Sequence, residues 1–122
     1  MKLLIADDSS LIREVTKKAA ETLNMELLEA EDGADALGKL AEFYEEVGLI
    51  LLDWNMPIMN GYNVLIEIKK NIHFKKIPVM MITSVDSQSS IIDAYRVGAV
   101  DYLLKPFTIE ELCVKIREVL KI

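Results

Sequence analysis

Short apolar runs alternate along the chain with segments whose apolar residues recur every three or four positions, the mark of strands alternating with one-sided helices. KLLIA (2–6) is the first run, and Leu11, Ile12, Val15, Ala19 and Leu23 follow at helical spacing. MELLEA (25–30) reads as a short strand, and beyond Gly33 the residues Leu37, Leu40, Ala41 and Tyr44 share one helical face. GLILLD (48–53) is the third strand, and Gly61 precedes a helix carrying Val64, Leu65, Ile68 and Ile72. IPVMMIT (77–83) is the fourth strand. Residues 87–97 give a weaker helical pattern that Gly98 closes as a C-cap. VDYLL (100–104) is the fifth strand, and 108–121 form the last helix, with Ile109, Leu112, Ile116 and Leu120 on one face and Thr108 as its N-cap.

Five strand-plus-helix units imply an α/β fold with a parallel sheet and right-handed crossovers. The first, third and fourth runs are continuously apolar, as strands covered on both faces should be. The expected architecture is a single doubly wound, flavodoxin-like sheet of order 2-1-3-4-5; the order is a fold-level expectation for five such units rather than a reading of periodicity. At 122 residues the chain fits one domain spanning 1–122, with no linker, repeat or low-complexity tract. A chain of this size buries roughly two-thirds of the surface its unfolded form exposes, enough for a core without staples.

Composition narrows the classes. Cys113 is the only cysteine, so no internal disulfide can form, which fits a reducing compartment. The first apolar run is too short for a signal peptide and the longest, around Leu49–Leu52, is far below a membrane span. The expectation is a cytoplasmic protein without membrane insertion. A net charge of −6 works against direct nucleic-acid binding.

In an open parallel sheet, ligands bind beyond the carboxyl ends of the strands at the switch point. The first strand delivers Asp7 and Asp8 there, the third Asp53, the fourth Thr83 and Ser84, and the fifth Lys105 and Pro106; Glu31 and Asp32 follow the second, at the sheet edge. Each has a plain reading when taken alone. Asp7-Asp8-Ser9-Ser10 can cap a helix, Asp53 can be a turn residue, Thr83 an ordinary strand end, and Lys105-Pro106 a helix boundary. Together, four strand ends supply complementary chemistry. Carboxylates about 5 Å apart repel by about 3 kcal/mol per pair at an effective dielectric of about 20, so the site must take up a proton or a cation. All-oxygen ligands with room for water suit Mg²⁺, and no second His or Cys exists to build a zinc site. With the metal on Asp7 and Asp8, partly through water, Asp53 is left as a nucleophile toward phosphorus, while the Thr83 hydroxyl and Lys105 ammonium can bind phosphoryl oxygens.

Asp7-Asp8, DWNMPIMNG (53–61), Thr83-Ser84 and Lys105-Pro106-Phe107 together resemble the receiver domain of bacterial two-component response regulators, over residues 2 to 121. DWNMP, EAEDGADAL and KPFT are most similar to the stand-alone chemotaxis branch. The resemblance implies that Asp53 accepts a phosphoryl group from a phosphohistidine of a sensor histidine kinase, a chemotaxis kinase in this branch. It implies Mg²⁺ on Asp8, Asp53 and the Asn55 backbone carbonyl, with Asp7 acting through a metal-bound water. Thr83 and the Ser84 amide would contact the phosphoryl oxygens, and Lys105 would pair with them across a cis peptide bond to Pro106. Tyr102 matches the aromatic residue whose rotamer reports activation: Thr83 moves toward the phosphoryl group and Tyr102 turns into the vacated space. The partner surface would then include Ser90, Ile91, Tyr95, Tyr102 and Lys115, although plain helix packing also accounts for Ile91 and Tyr95.

Some positions depart from the chemotaxis pattern. Val85 is apolar where an acid is common and, with Asn55, flanks the path of attacking water, which bears on phosphoryl lifetime. Asn60 stands where Asp is common, and His73 reads as a solvated connection residue. Cys113 reads as a packing or partly exposed thiol, and Trp54, beside the nucleophile, should report binding by fluorescence.

A stand-alone chemotaxis switch acting on the flagellar motor switch, with a phosphatase as a further partner, is the first expectation, since the sequence stops at Ile122 after the last helix. A receiver cut from a DNA-binding regulator and a phosphorelay intermediate are the alternatives. An aspartate-nucleophile phosphatase usually carries a second acid where Asn55 stands, and flavin binding would need a hydroxyl- and glycine-rich loop after the first strand. The protein is therefore expected to be a phosphoacceptor switch that assists its own phosphorylation and dephosphorylation rather than an enzyme.

Overall fold

The computed structural model describes residues Met1–Ile122. Its elements run β1 (Lys2–Ala6), α1 (Ser10–Thr22), β2 (Glu26–Ala30), α2 (Gly33–Phe43), β3 (Val47–Leu52), α3 (Gly61–Lys70), β4 (Val79–Thr83), α4 (Gln88–Val97), β5 (Asp101–Leu104) and α5 (Ile109–Leu120). The strands form one parallel sheet in the order β2-β1-β3-β4-β5.

Successive strand residues point to opposite faces, so each central strand feeds two cores. Leu4, Ala6, Ile50, Leu52, Val79 and Met81 meet Leu40 of α2, Val64, Leu65 and Ile68 of α3, and Ala94 of α4. Leu3, Ile5, Leu49, Leu51, Met80 and Ile82 meet Ala19 and Ala20 of α1 and Leu112, Cys113 and Ile116 of α5. Burial of each large aliphatic side chain stabilises the fold by about 1.5–3 kcal/mol before entropy is counted. No helix is long and apolar enough to cross a membrane.

Side chains cap every helix at its N-terminus. Ser9, Asp32, Asn60, Ser87 and Thr108 each accept a hydrogen bond from the backbone N–H three residues on, and Thr108 and Glu111 complete a reciprocal capping box. Gly98 closes α4 at φ 131, a region where only glycine is unstrained.

Three residues assigned to the core by periodicity lie elsewhere. Leu11 is 71% exposed, because the buried stripe of α1 runs through Thr16, Ala19 and Ala20; Thr16 tolerates burial because its hydroxyl donates to the Ile12 carbonyl at 2.8 Å. Ala41 is exposed, and Ala36 takes the inward position beside Leu40. Ile72 lies outside α3 and is 74% exposed, because Asn71 leaves the helix in an extended conformation. The strand pattern over 77–83 narrows to Val79–Thr83: Pro78 has no N–H to donate, and its carbonyl accepts from Ile50 at 3.0 Å instead.

Candidate functional site

Register builds the site. Ala6 pairs with Leu52, so the next residues, Asp7 and Asp53, emerge side by side where the strand order reverses. Thr83 pairs with Leu104, which brings Lys105 up one residue beyond. Backbone bonds hold these ends: Asp7 N–H donates to the Ala30 carbonyl, Asp53 N–H to the Ala6 carbonyl and Lys105 N–H to the Thr83 carbonyl, each at 3.0 Å.

Asp7 is fully buried, Asp53 is 5% exposed and Asp8 faces solvent. Lys105 Nζ donates to Asp7 Oδ2 at 2.7 Å and to Asp53 Oδ2 at 3.1 Å. The Ser9 N–H donates to Asp7 Oδ1 at 2.9 Å, so the acidic stretch both caps α1 and faces the site. Burial pushes the Asp7 carboxyl above its ordinary range; the bonds from Lys105 and Ser9 pull it down and the Asp53 charge pushes it further up, leaving it raised. Burial pulls Lys105 down, but its bonds and charges with Asp7 and Asp53 outweigh burial and leave it raised. The Lys105–Pro106 peptide bond is cis.

Asp53 Oδ1 is buried and has no hydrogen-bond partner. Asp7, Asp8 and Asp53 each offer a carboxylate oxygen, all within 4.8 Å of one another. An orphaned buried oxygen among three hard donors fits a hard divalent cation.

The loop from Asp53 to Gly61 is shaped by close approach. A Cβ on Gly61 would lie 2.7 Å from the Asp53 carbonyl carbon and nearer still to its oxygen. Gly61 N–H also closes the loop onto the Trp54 carbonyl at 2.7 Å. Asn60 caps α3, and Trp54 stacks on Tyr62 with ring centroids 5.1 Å apart. Asn55 and Ser84 are exposed at the mouth.

Thr83 is fully buried, and its hydroxyl accepts from the Val85 N–H at 3.3 Å. The Val85 carbonyl accepts from the Tyr102 hydroxyl at 2.6 Å, so one residue joins Thr83 to Tyr102. Burial, then the charges of Asp53 and Asp86, push the Tyr102 hydroxyl above its ordinary range. Farther along, Asp101 gathers the Tyr95 hydroxyl at 3.5 Å and Lys115 Nζ at 3.3 Å, while Ser90 and Ile91 are half-buried on α4. His73 is remote from the acids, its ring 5.1 Å from that of Tyr44, and Cys113 is buried against α1.

Arg13 was not among the residues that sequence reasoning brought to the site. Its Nη1 donates to the Asp7 carbonyl oxygen at 2.8 Å. The signal for it was electrostatic: a cation on the first turn of a helix opposes the macrodipole and calls for a partner.

The family model described as response regulator receiver domain matches residues 3–117, and the chain belongs to that family. It is 39% identical over 121 residues to the chemotaxis protein CheY1 of Helicobacter pylori, covering 98% of this chain and 97% of that one. It is 36% identical to the chemotaxis protein CheY homolog of Campylobacter jejuni, over 98% and 92% of the two chains. The solved structure of Vibrio cholerae chemotaxis protein CheY4 superposes with a TM-score of 0.89 at 30% identity, covering 97% of each chain. The protein is thus a response regulator receiver domain similar to CheY chemotaxis proteins.

Proposed function

We propose that this receiver is a phosphorylation-driven chemotaxis switch with Asp53 as its phosphoacceptor. The observation that carries the reading is the state of the Asp53 carboxylate: Oδ2 is held by Lys105, while the buried Oδ1 has no partner. An Asp53 oxygen attacks the phosphorus of a kinase phosphohistidine; the P–N bond breaks, its electron pair returns to the imidazole nitrogen, and an acyl phosphate forms on Asp53. Mg²⁺, held by Asp7, Asp8, Asp53 and the Asn55 carbonyl, would neutralise charge gathering on the phosphoryl oxygens. Lys105, the Thr83 hydroxyl and the Ser84 amide supply the remaining charge and hydrogen bonds.

Val85 supports the switching step. The Thr83 hydroxyl gives up only a long bond, 3.3 Å, when it turns to the phosphoryl group, and Val85 is then tied only to Tyr102. A freed Val85 peptide lets Tyr102 change position, which alters the surface formed by Ser90, Ile91, Tyr95, Tyr102 and Lys115. Such a shift biases an existing two-state equilibrium. The partners that fit are a sensor histidine kinase upstream and the flagellar motor switch downstream, and the protein acts as a phosphoacceptor rather than as an enzyme with a released product.

The test is intact mass after incubation with a small phosphodonor, with and without Mg²⁺, beside Asp53→Asn. One phosphoryl group gained only with Mg²⁺, and absent in Asp53→Asn, is the expected result. No gain in a protein that binds Mg²⁺ refutes the phosphoacceptor role.

A further inference from the structure

We infer that Arg13 is a positioning residue for the cation site, acting through the peptide that joins its two strand-one acids. The inference rests on the cation reading above. The Asp7 carbonyl belongs to the planar Asp7–Asp8 peptide, so fixing that oxygen fixes ψ of Asp7 and φ of Asp8 together. β1 ends at Ala6, and the Asp7 carbonyl lies beyond its ladder; Arg13 Nη1 is its hydrogen-bond donor, at 2.8 Å.

The two acids depend on that peptide unequally. The Asp7 carboxylate has holds of its own, from Ser9 N–H and Lys105 Nζ. Asp8 is exposed and no hydrogen bond holds its carboxylate, so only the backbone places the Cα–Cβ bond from which that carboxylate reaches the site. Arg13 is therefore the side chain that fixes where Asp8 starts, which is the sense in which it aims Asp8.

The guanidinium is itself anchored. Its Nε lies 3.3 Å from Glu29 Oε1 on β2, its Nη2 lies 3.8 Å from Glu31 Oε1, and the Arg13 side chain is only 15% exposed. A planar fork can meet two carboxylates and a carbonyl at once; an ammonium cannot hold all three in fixed geometry. The glutamates also offset the positive charge, which reduces its repulsion of the cation that the acids would bind.

The sign of the effect separates aiming from simple electrostatics. Removing a positive charge beside the site should by Coulomb's law tighten cation binding. Removing the residue that aims Asp8 should weaken it, and loss of partners that orient metal ligands costs about 10- to 100-fold in affinity.

The experiment titrates Mg²⁺ into the full chain and follows Trp54 fluorescence, for wild type, Arg13→Met and Arg13→Lys, with urea unfolding of each in EDTA as a separate measure of stability. Arg13→Met keeps the packing of the stem, and its Mg²⁺ Kd is expected to rise about tenfold. Arg13→Lys should recover part of the loss. A Kd for Arg13→Met equal to or below that of wild type overturns the inference, whatever its stability, and leaves Arg13 as a tie between α1 and β2. If Arg13→Met does not fold, Arg13→Lys decides: a Kd equal to wild type overturns the inference. If wild type gives no Mg²⁺ response by fluorescence or by calorimetry, the cation reading falls and takes this inference with it.

Discussion

Replacing Lys105 by Met separates the two things its ammonium does: it holds buried carboxylates together, and it competes with a cation for them. Nζ lies 2.7 Å from Asp7 Oδ2 and 3.1 Å from Asp53 Oδ2, and no other cation pairs with either acid. At an effective dielectric of about 20 each attraction is about 5–6 kcal/mol gross. Desolvation offsets most of it, and removing one partner of a buried pair costs about 3–5 kcal/mol net. The lower end applies, because Asp7 has an escape. Its carboxyl is already raised by burial, and it loses Lys105, which had been lowering it. A carboxyl with a raised folded pKa contributes stability that is full below the unfolded value, about 3.9, and is lost as pH rises through the folded value. Lys105→Met should therefore be about 3 kcal/mol less stable than wild type near neutral pH in EDTA, with a smaller deficit in mild acid. Excess Mg²⁺ should narrow this deficit, because each of the two acids regains the oxygen that Nζ had occupied. The variant should bind Mg²⁺ more tightly than wild type, and a concentration 100 times its Kd should restore about 2.7 kcal/mol. Urea unfolding followed by far-UV circular dichroism, in EDTA and in excess Mg²⁺ at acid and neutral pH, measures all of this. Equal stability in EDTA at neutral pH, or weaker Mg²⁺ binding by the variant, refutes the reasoning.

Gly61→Ala should destabilise the fold by about 3 kcal/mol, the upper end for overpacking, because the new Cβ meets backbone that cannot swing aside; denaturant unfolding measures it. Ile58→Gly should stabilise the protein by about 0.5–1 kcal/mol in the same assay. Ile58 sits at φ 71 and is 81% exposed, so glycine relieves about 1–2 kcal/mol of left-handed backbone strain, loses little packing, and costs part of the gain in chain entropy. Tyr102→Phe removes the bond to the Val85 carbonyl, which should cost about 1 kcal/mol and speed amide exchange across 85–87, read by hydrogen–deuterium exchange.

The alternation of elements was legible because each strand is short, apolar and bounded, and each helix shows one face to the sheet. The helix starts were equally visible in principle: Ser9, Asp32, Asn60 and Ser87 are capping residues like Thr108, although from the pattern only Thr108 was assigned as a cap and the Asp7–Ser10 stretch was read as able to supply one. Leu11 and Ile72 misled because apolar spacing extends past the turn that ends the contact; exposure there depends on where Ser9 and Asn71 set the helix ends. The acids and Lys105 were legible because parallel topology obliges all strand ends to meet at one edge. Arg13 was not, and Val85 was read only as flanking the path of water and not as the tie between Thr83 and Tyr102, since both contacts run through the backbone and the sequence does not show which backbone groups a helix or a loop will present.

The site is built unequally across its width. On the β3 side, Asp53 is held by the β1 ladder, Gly61 packs directly on its carbonyl, Asn60 starts α3, and Ile58 accepts a left-handed backbone so that nine residues can turn so tightly. Such strain persists only where the surroundings over-determine the conformation, and here they hold the Asp53 end of the loop in place. On the β4 side, the connection to α4 is tied back by two side-chain bonds that share Val85, one of them long. Local rules of sequence therefore fail where the chain must be rigid, and contacts thin out where it must give. For the function proposed above, this puts a firmly held Asp53 beside a loosely tied hydroxyl: the acceptor would keep its geometry while Thr83, Val85 and Tyr102 change theirs. Stiffening the second half would separate the functions, leaving phosphoryl uptake on Asp53 intact while the surface around Tyr95 and Lys115 stays in its resting state.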